Sequence, residues 1–407
     1  MKPLILVISN QKNLPQNSRF TSLINKYDFI FYLLKKETNL SQQLEELTHN
    51  TKNKPDAIIS FNDDTCLFAS IVASELDLIG PTPQSLARTQ NKESFSKELR
   101  EKKYLPETTI VGLTNLQKLI ELDYPIFIKP TKGALSEGAL KIGTKANSRK
   151  IVKRALKSIH INTFEKSYFK KYLPNLNLRK IIVQPYIEDR QYTLDGFVYN
   201  NEITFLGVTE SIYDKNKKSF VRFDFPIIFN QSITNKLNNI SNDIFQNFSF
   251  NNSFFNLEFF ISKTNKINII ELNTRPAIVF DPFYSSMYQQ SLTEMMIKLA
   301  LGYKPKINLK NKNIKGKSFI LRKYQDYLIT NIPSQKQIET ILKKHNQSKI
   351  RILCKKSNKL SDQRQDSYSY RYAIIDICGK TNKEINEKFQ NIKQELKELI
   401  TFSPISD

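Results

Sequence analysis

Two apolar segments that each carry an acid at the centre, FFNLEFFIS (254–262) and KINIIELN (266–273), constrain this 407-residue chain more than any other feature. A carboxylate set among large apolar side chains is costly to bury unpaired, and neither segment is polar enough for a solvated edge strand. As two strands joined by the short turn KTN, they place Glu258 opposite Glu271. Asn273 faces the same way as Glu271, because side chains at i and i+2 of a strand share a face. Three oxygen-bearing groups therefore converge, and Arg275 continues that face at the strand end. Carboxylates and an amide oxygen without histidine or thiolate select a hard cation, Mg²⁺ or Mn²⁺, whose other ligands are normally waters and substrate phosphates.

The rest of the composition narrows the chemistry. Cys66, Cys354 and Cys378 lie far apart with no CxxC, and His49, His160 and His345 form no HExxH, so neither a disulfide framework nor a zinc site is supported. The thiols are expected to be reduced and buried. No run approaches the ~18 apolar residues of a membrane span. The opening MKPLILVIS has too short an apolar stretch for a signal peptide, so a cytoplasmic location is expected. The net charge of +23 invites a nucleic-acid partner. However, the lysines are spread through a Lys-, Asn- and Ile-rich background and interleaved with acids, as an AT-rich genome would impose, which argues against specific nucleic-acid binding.

Periodicity gives the organisation. Leu4–Ile8, Asp28–Leu34 and Asp56–Phe61 are apolar runs suited to buried parallel strands. They alternate with a polar helix over NLSQQLEELTHN and an amphipathic helix after Asp63 and Asp64, which makes a small open α/β sheet. No GxGxxG follows the first strand, so a dinucleotide site is excluded. Gly80, Pro81 and Pro83 mark a break, after which one long polar helix is predicted through LARTQNKESFSKELREK. The strand YPIFIKP then runs into TKGALSEGALKIG, where Gly133, Gly138 and Gly143 concentrate three of only ten glycines. A glycine-rich hairpin behind a strand can bring backbone N–H groups against phosphate oxygens, although a plain hairpin also uses glycine for its turn. Basic helices follow, then the strands KIIVQPYI, QYTLDGFVYN and EITFLGVTES, the latter two joined by a turn at Tyr199–Glu202. The segment FVRFDFP is expected as a loop and Ile240–Phe248 as an amphipathic helix. The last hundred residues alternate strands and helices again.

Taken in order, these motifs carry a resemblance. The helix lysine Lys92 in QNKESF, the strand lysine Lys129 before the glycine-rich loop, VQPYIEDRQYTLDG, and Glu258 followed by ELNTR resemble the ATP-grasp superfamily of carboxylate–amine ligases. LDLIGPTP, TLDGFV and the C-terminal KLSDQ to YRYAIIDICGKTNKE are most similar to its amino-acid-ligase and carnosine-synthase branch. The resemblance implies an α/β (α+β) ATP-grasp fold in three parts: an N-terminal α/β domain at 1–88, a nucleotide- and metal-binding domain at 89–303, and a C-terminal α+β subdomain at 304–407.

It also implies roles residue by residue. Lys92 and Lys129 would hold the α- and β-phosphates of ATP, and the loop with Gly133, Ser136 and Gly138 would close over the β- and γ-phosphates. Gln184, Tyr186 and Ile187 would meet the adenine, and Gln191 stands where the family commonly has an acid for the ribose hydroxyls. Glu258, Glu271 and Asn273 would bind Mg²⁺ (or Mn²⁺), Arg275 would stabilise the moving phosphoryl group, and Asp195 would point into the same cleft. Arg222 is the candidate for the substrate carboxylate, with a surface structural role as the alternative. The implied reaction joins a carboxylate, amino-acid-like, to an amine through an acyl phosphate, with small-molecule partners and a homodimer as the common assembly. Leu135 and Glu137 depart from the family's loop, and AIVFDPF replaces its small glycine-containing stretch after ELNTRP. The competing readings are another ATP-grasp activity, kinase- or carboxylase-like, and a nucleotide- or nucleic-acid-binding protein without turnover.

Overall fold

A computed structural model describes residues 1–11, 18–50, 53–132, 138–216, 219–308, 313–363, 365 and 368–405. The N-terminal part alternates β1 (Leu4–Ser9), α1 (Ser18–Thr21), β2 (Asp28–Leu33), α2 (Leu40–Asn50), β3 (Ala57–Ser60) and α3 (Asp63–Glu75). The strands pair in parallel in the order β2-β1-β3, as the apolar runs predict. Both faces of β1 are covered. Leu6 and Ile8 pack with Leu67, Phe68 and Ile71 of α3, whereas Ile5 and Val7 pack with Phe20, Tyr284 and Met295.

The single long helix expected after Pro83 is two helices, α4 (Pro83–Gln90) and α5 (Lys92–Glu98). Asn91 separates them because it adopts an extended conformation, and its side-chain oxygen accepts from the N–H groups of Glu93 and Ser94. The break directs the Lys92 N–H to the Thr131 carbonyl at 2.9 Å, which fixes Lys92 beside the lysine-bearing strand.

That strand, β5 (Ile126–Pro130), belongs to a small antiparallel sheet with β4 (Thr109–Val111), β6 (Leu140–Ile142) and β7 (Ile181–Pro185), in the order β4-β7-β5-β6. Helices α6 (Ser148–Ser158) and α7 (Thr163–Tyr172) intervene before β7. Ile126, Ile128, Ile181 and Val183 form a core with Val152 and Leu156 of α6, so the alternate residues Phe127, Lys129 and Gln184 face away from it.

The remaining strands build one eight-stranded antiparallel sheet. Its members are β8 (Arg190–Tyr199), β9 (Glu202–Tyr213), β10 (Phe220–Phe225), then, beyond α8 (Gln231–Asn247), β11 (Ser253–Ile261) and β12 (Ile267–Asn273). After α9 (Asp281–Tyr288) and α10 (Leu292–Ala300), β13 (Lys315–Lys323) returns to it. There follow β14 (Tyr327–Asn331), α11 (Gln335–Lys344), β15 (Ser348–Ile352), β16 (Tyr370–Gly379), α12 (Asn382–Leu399) and β17 (Thr401–Pro404). The order is β12-β11-β8-β9-β10-β13-β16-β15, while β14 and β17 pair apart. FVRFDFP is thus largely strand β10 rather than a loop, because both its neighbours β9 and β13 satisfy its backbone. The turn at Tyr199–Glu202 forms as expected, with Asn200 and Asn201 both left-handed (φ 48° and 64°), the geometry a two-residue hairpin needs. Among the described residues no helix is long and apolar enough to cross a membrane.

Gly196, in the middle of β8, marks a very tight approach in this sheet. A Cβ there would lie 2.4 Å from the Thr204 carbonyl oxygen and 2.5 Å from the Phe255 ring. Gly196→Ala should therefore destabilise the protein by about 2–3 kcal/mol through overpacking, read as a lower urea midpoint at unchanged m-value.

Candidate active site

A cleft of about 910 Å³ separates the small sheet from the large one. The small sheet contributes Phe127, Lys129 and Gln184, with Tyr186 and Ile187 just beyond β7. The alternation that puts Ile126 and Ile128 in the core is what turns Lys129 toward the cleft. Gln184 lies opposite Phe127 in the register of β5 and β7, and its amide donates to the Thr108 hydroxyl at 2.9 Å. The Lys141 ammonium sits 3.8 Å over the Tyr186 ring.

The large sheet contributes the acids. Glu258 is the direct register partner of Glu271, and Asn256 of Asn273, so the convergence expected from the sequence is present. The Asn273 amide donates to Glu258 Oε1 at 3.1 Å and to Asn256 Oδ1 at 3.0 Å. The register shifts between Glu258 and Phe259. This bulge takes Ile270 out of the ladder, and its carbonyl accepts from Lys129 Nζ at 3.0 Å. Lys129, on the facing sheet, is thereby tied to the strand that carries Glu271.

Charges at the cleft floor are unequally matched. Lys92 Nζ lies 3.2 Å from Glu271 Oε2. Burial pushes the Glu271 carboxyl upward, but Lys92 and Lys129 outweigh it and hold the group below the usual carboxylate range. Glu258 is held instead by neutral amides, and burial, with Glu271 alongside, raises its carboxyl. Burial pushes the Lys129 ammonium down to about 8, against the opposing pull of Glu271. Among the described residues no group of three or more His, Cys, Asp or Glu side chains could hold a metal ion. Two facing carboxylates and an amide nonetheless fit Mg²⁺, which takes one or two carboxylates and completes its shell with water and phosphate.

Several expected residues stand elsewhere. Gly133 and Ser136, with Leu135 and Glu137, lie outside the described residues. Gly138 has φ +71°, and a Cβ there would approach Pro130 to 3.0 Å. Arg222 does not line the cleft: its guanidinium grips Asp224, two residues along β10, with Nε at 2.6 Å from Oδ1 and Nη2 at 2.9 Å from Oδ2. Asp195 is buried beneath the cleft rather than open to it, accepting from Asn256, from Tyr284 at 2.7 Å and from the Ala277 N–H at 3.2 Å. Arg275 turns from the carboxylate face to Asp63, with Nε 3.0 Å from Oδ1.

That last contact exposes a device the sequence reading missed. Asp63 and Asp64 occupy the first turn of α3, where the helix dipole favours acids. Asp63 takes Arg275 from the end of β12, and Asp64 takes Lys132, just beyond β5, at 3.2 Å. Lys132 also lies 3.5 Å from Glu165 of α7. Two adjacent acids thus tie the N-terminal sheet to both walls of the cleft. Also unanticipated is the far wall, where Arg322 of β13 and Arg371 of β16 are register partners and line the cleft with Gln365 and Tyr368. No local motif marks these residues, because the pairing of β10 with β13 that brings them in is long-range.

A family model for the ATP-grasp domain matches residues 122–278, and no curated protein matches the chain by sequence. Among solved structures, an L-amino acid ligase from Bacillus licheniformis superposes with a TM-score of 0.74 at 11% identity, covering 99% of each chain. An N5-carboxyaminoimidazole synthetase from Staphylococcus aureus complexed with ADP gives 0.65 at 15% identity, over 97% of this chain and 98% of that one. A biotin carboxylase from Campylobacter jejuni in complex with beta-gamma-ATP gives 0.64 at 13% identity, over 99% and 92%. The chain carries an ATP-grasp domain, and its fold from end to end is the α/β ATP-grasp fold.

The acid pair on α3 makes a direct prediction. Asp64→Asn removes the nearer of the two carboxylates beside the enclosed Lys132 ammonium and leaves Glu165 at 3.5 Å, so it should cost about 1.5–3 kcal/mol in urea unfolding, the scale of one hydrogen bond to a charged group. The double variant Asp64→Asn, Lys132→Met should recover part of that loss.

Proposed function

We propose that this chain is an ATP-dependent ligase that joins a carboxylate, amino-acid-like, to an amine, with release of ADP and phosphate. The observation that carries this reading is the pairing, on one cleft floor, of Glu258 and Glu271 with Lys92 and Lys129. The cleft lining contains neither cysteine nor histidine among the described residues, and phosphoryl transfer to a carboxylate needs no protein nucleophile. It needs positioning and neutralisation of charge.

In this reading Tyr186 and Ile187 flank the adenine, and Lys92 and Lys129 bind phosphate oxygens, as compact ammonium groups do. Glu258, Glu271 and Asn273 would hold Mg²⁺, which supplies charge neutralisation to the phosphates when bound. A substrate carboxylate oxygen attacks the γ-phosphorus, the bond to the β-phosphate oxygen breaks, and ADP leaves. The amine nitrogen then attacks the acyl carbon, the C–N bond forms, the C–O bond to phosphate breaks, and the amine proton passes to solvent. Arg275, released from or shared with Asp63, is placed to meet the negative charge of the acyl phosphate. The likeness to an L-amino acid ligase supports amino acids as substrates, and the likeness to biotin carboxylase keeps a carboxylase outcome as the second reading.

Incubation with ATP, Mg²⁺ and pairs of amino acids should release ADP and phosphate in equal amounts with a dipeptide-like product. ADP release driven by bicarbonate instead would replace the ligase reading with the carboxylase one, and release with neither would remove both. Glu271→Gln should lower turnover by about 10²–10³ while the thermal midpoint stays close to that of the parent. The lowered Lys129 gives a pH signature. Phosphate binds the ammonium form, so ADP affinity should fall as pH rises through about 8, by up to about tenfold per unit. Lys129→Arg should flatten the profile, which calorimetry at several pH values would read.

A further inference from the structure

Gln191 sits at the start of β8, buried, between β9 and β11. In register it faces Ser211 on one side and Phe260 on the other, so Tyr213 and Glu258, each two residues away from those partners, are its same-face diagonal neighbours. Both contacts are made. Gln191 Nε2 donates to Glu258 Oε2 at 3.1 Å, and Gln191 Oε1 accepts from the Tyr213 hydroxyl at 2.6 Å. The Tyr213 ring is itself held against Phe220, with centroids 4.4 Å apart.

The chemistry of the two neighbours selects an amide at this position. An ionised carboxylate only accepts, so the group beside Glu258 must donate; a hydroxyl aimed at the far side must then find an acceptor. Glutamine satisfies both at once, whereas glutamate at 191 would set a second negative charge against Glu258. Glu258 Oε1 is likewise held by the Asn273 amide. Each oxygen of Glu258 thus accepts one hydrogen bond from a neutral donor, which fixes the carboxylate without cancelling its charge. Glu271, in contrast, has the Lys92 ammonium beside it. The two facing acids are supported differently: an ammonium lies against Glu271, whereas Glu258 has an amide on each oxygen and feels Arg275 and Lys129 only through space.

We propose that Gln191 is a positioning residue for the Glu258 carboxylate rather than a ribose contact, and that the Tyr213 hydroxyl sets the orientation of its amide. This rests on the reading of the cleft as a Mg²⁺-nucleotide site. Partners of this kind around a metal ligand orient it and raise its affinity for the ion.

The test is Mn²⁺ binding in the presence of ADP, followed by the paramagnetic resonance signal of the free ion, alongside ADP binding without metal and the thermal midpoint. Gln191→Leu should weaken Mn²⁺ binding ~10–100-fold and leave metal-free ADP affinity unchanged. Tyr213→Phe, which keeps the ring and its packing, should weaken Mn²⁺ binding about fivefold, the scale of one neutral hydrogen bond. If Tyr213 acts through Gln191, the double variant binds Mn²⁺ no more weakly than Gln191→Leu alone. Full additivity would remove Tyr213 from the relay. Unchanged Mn²⁺ affinity in Tyr213→Phe and Gln191→Leu, or a loss of metal-free ADP affinity in its place, overturns the proposal and leaves the ligase reading standing. A parent protein that holds no Mn²⁺ with ADP overturns both.

Discussion

The two consecutive acids at the start of α3 hold this architecture together. Asp63 and Asp64 sit on α3 beside the N-terminal sheet, and while Asp64 also pairs with Lys36 of that part, Arg275 and Lys132 reach them from the two walls of the cleft. Both cations are largely withdrawn from water. With Lys36 at 3.0 Å from Asp64 and Glu165 at 3.5 Å from Lys132, the three units meet in one largely buried charge network, and pulling them apart breaks ion pairs that are costly to leave incomplete. The helix terminus concentrates both acids where the backbone dipole favours them, which lets one turn of helix serve two distant strands.

Within the cleft the same logic is relaxed in one direction. The lysines and carboxylates are close enough to shift one another: Lys129 is lowered, Glu271 is held down and Glu258 is raised. A fully satisfied ion-pair network would have little use for an added anion or cation. Here Lys129 donates to a carbonyl released by a β-bulge, and Glu258 is hydrogen-bonded by amides, with Arg275 and Lys129 acting on it only through space. The site is therefore firm in position and incomplete in charge, which suits the metal-bound polyphosphate proposed for it.

Much of this was legible in the sequence, and the reason is local. The parallel strands at residues 4–61 follow from apolar runs, and the Glu258, Glu271 and Asn273 cluster follows from period-two alternation across a short hairpin. What escaped depended on tertiary partners. FVRFDFP is a strand because β9 and β13 flank it, and that alignment lets Asp224 capture Arg222. The helix through Lys92 breaks because the Asn91 side chain caps the second half, an event that a single polar residue in a polar stretch does not announce. Asp195 reads as a polar residue in a strand, but Tyr284 and Ala277, some eighty residues later, turn it into a buried anchor. The arginines of β13 and β16 were invisible for the same reason.

The unbroken eight-stranded sheet bears on how the protein is made. Its strand order puts β10, from the middle of the chain, beside β13, and β13 beside β16, so the wall that closes the far side of the cleft is supplied by the last quarter of the sequence. Until β13 has left the ribosome, β10 is an open edge with unpaired backbone groups, the kind of surface that recruits strands from other chains. A nascent chain that already contains every proposed phosphate- and metal-binding residue still lacks the completed cleft. In the proposed reading, nucleotide binding waits on β13 and β16, and a truncation before β13 that spares the whole ATP-grasp motif set would still leave a half-walled cleft with an open sheet edge.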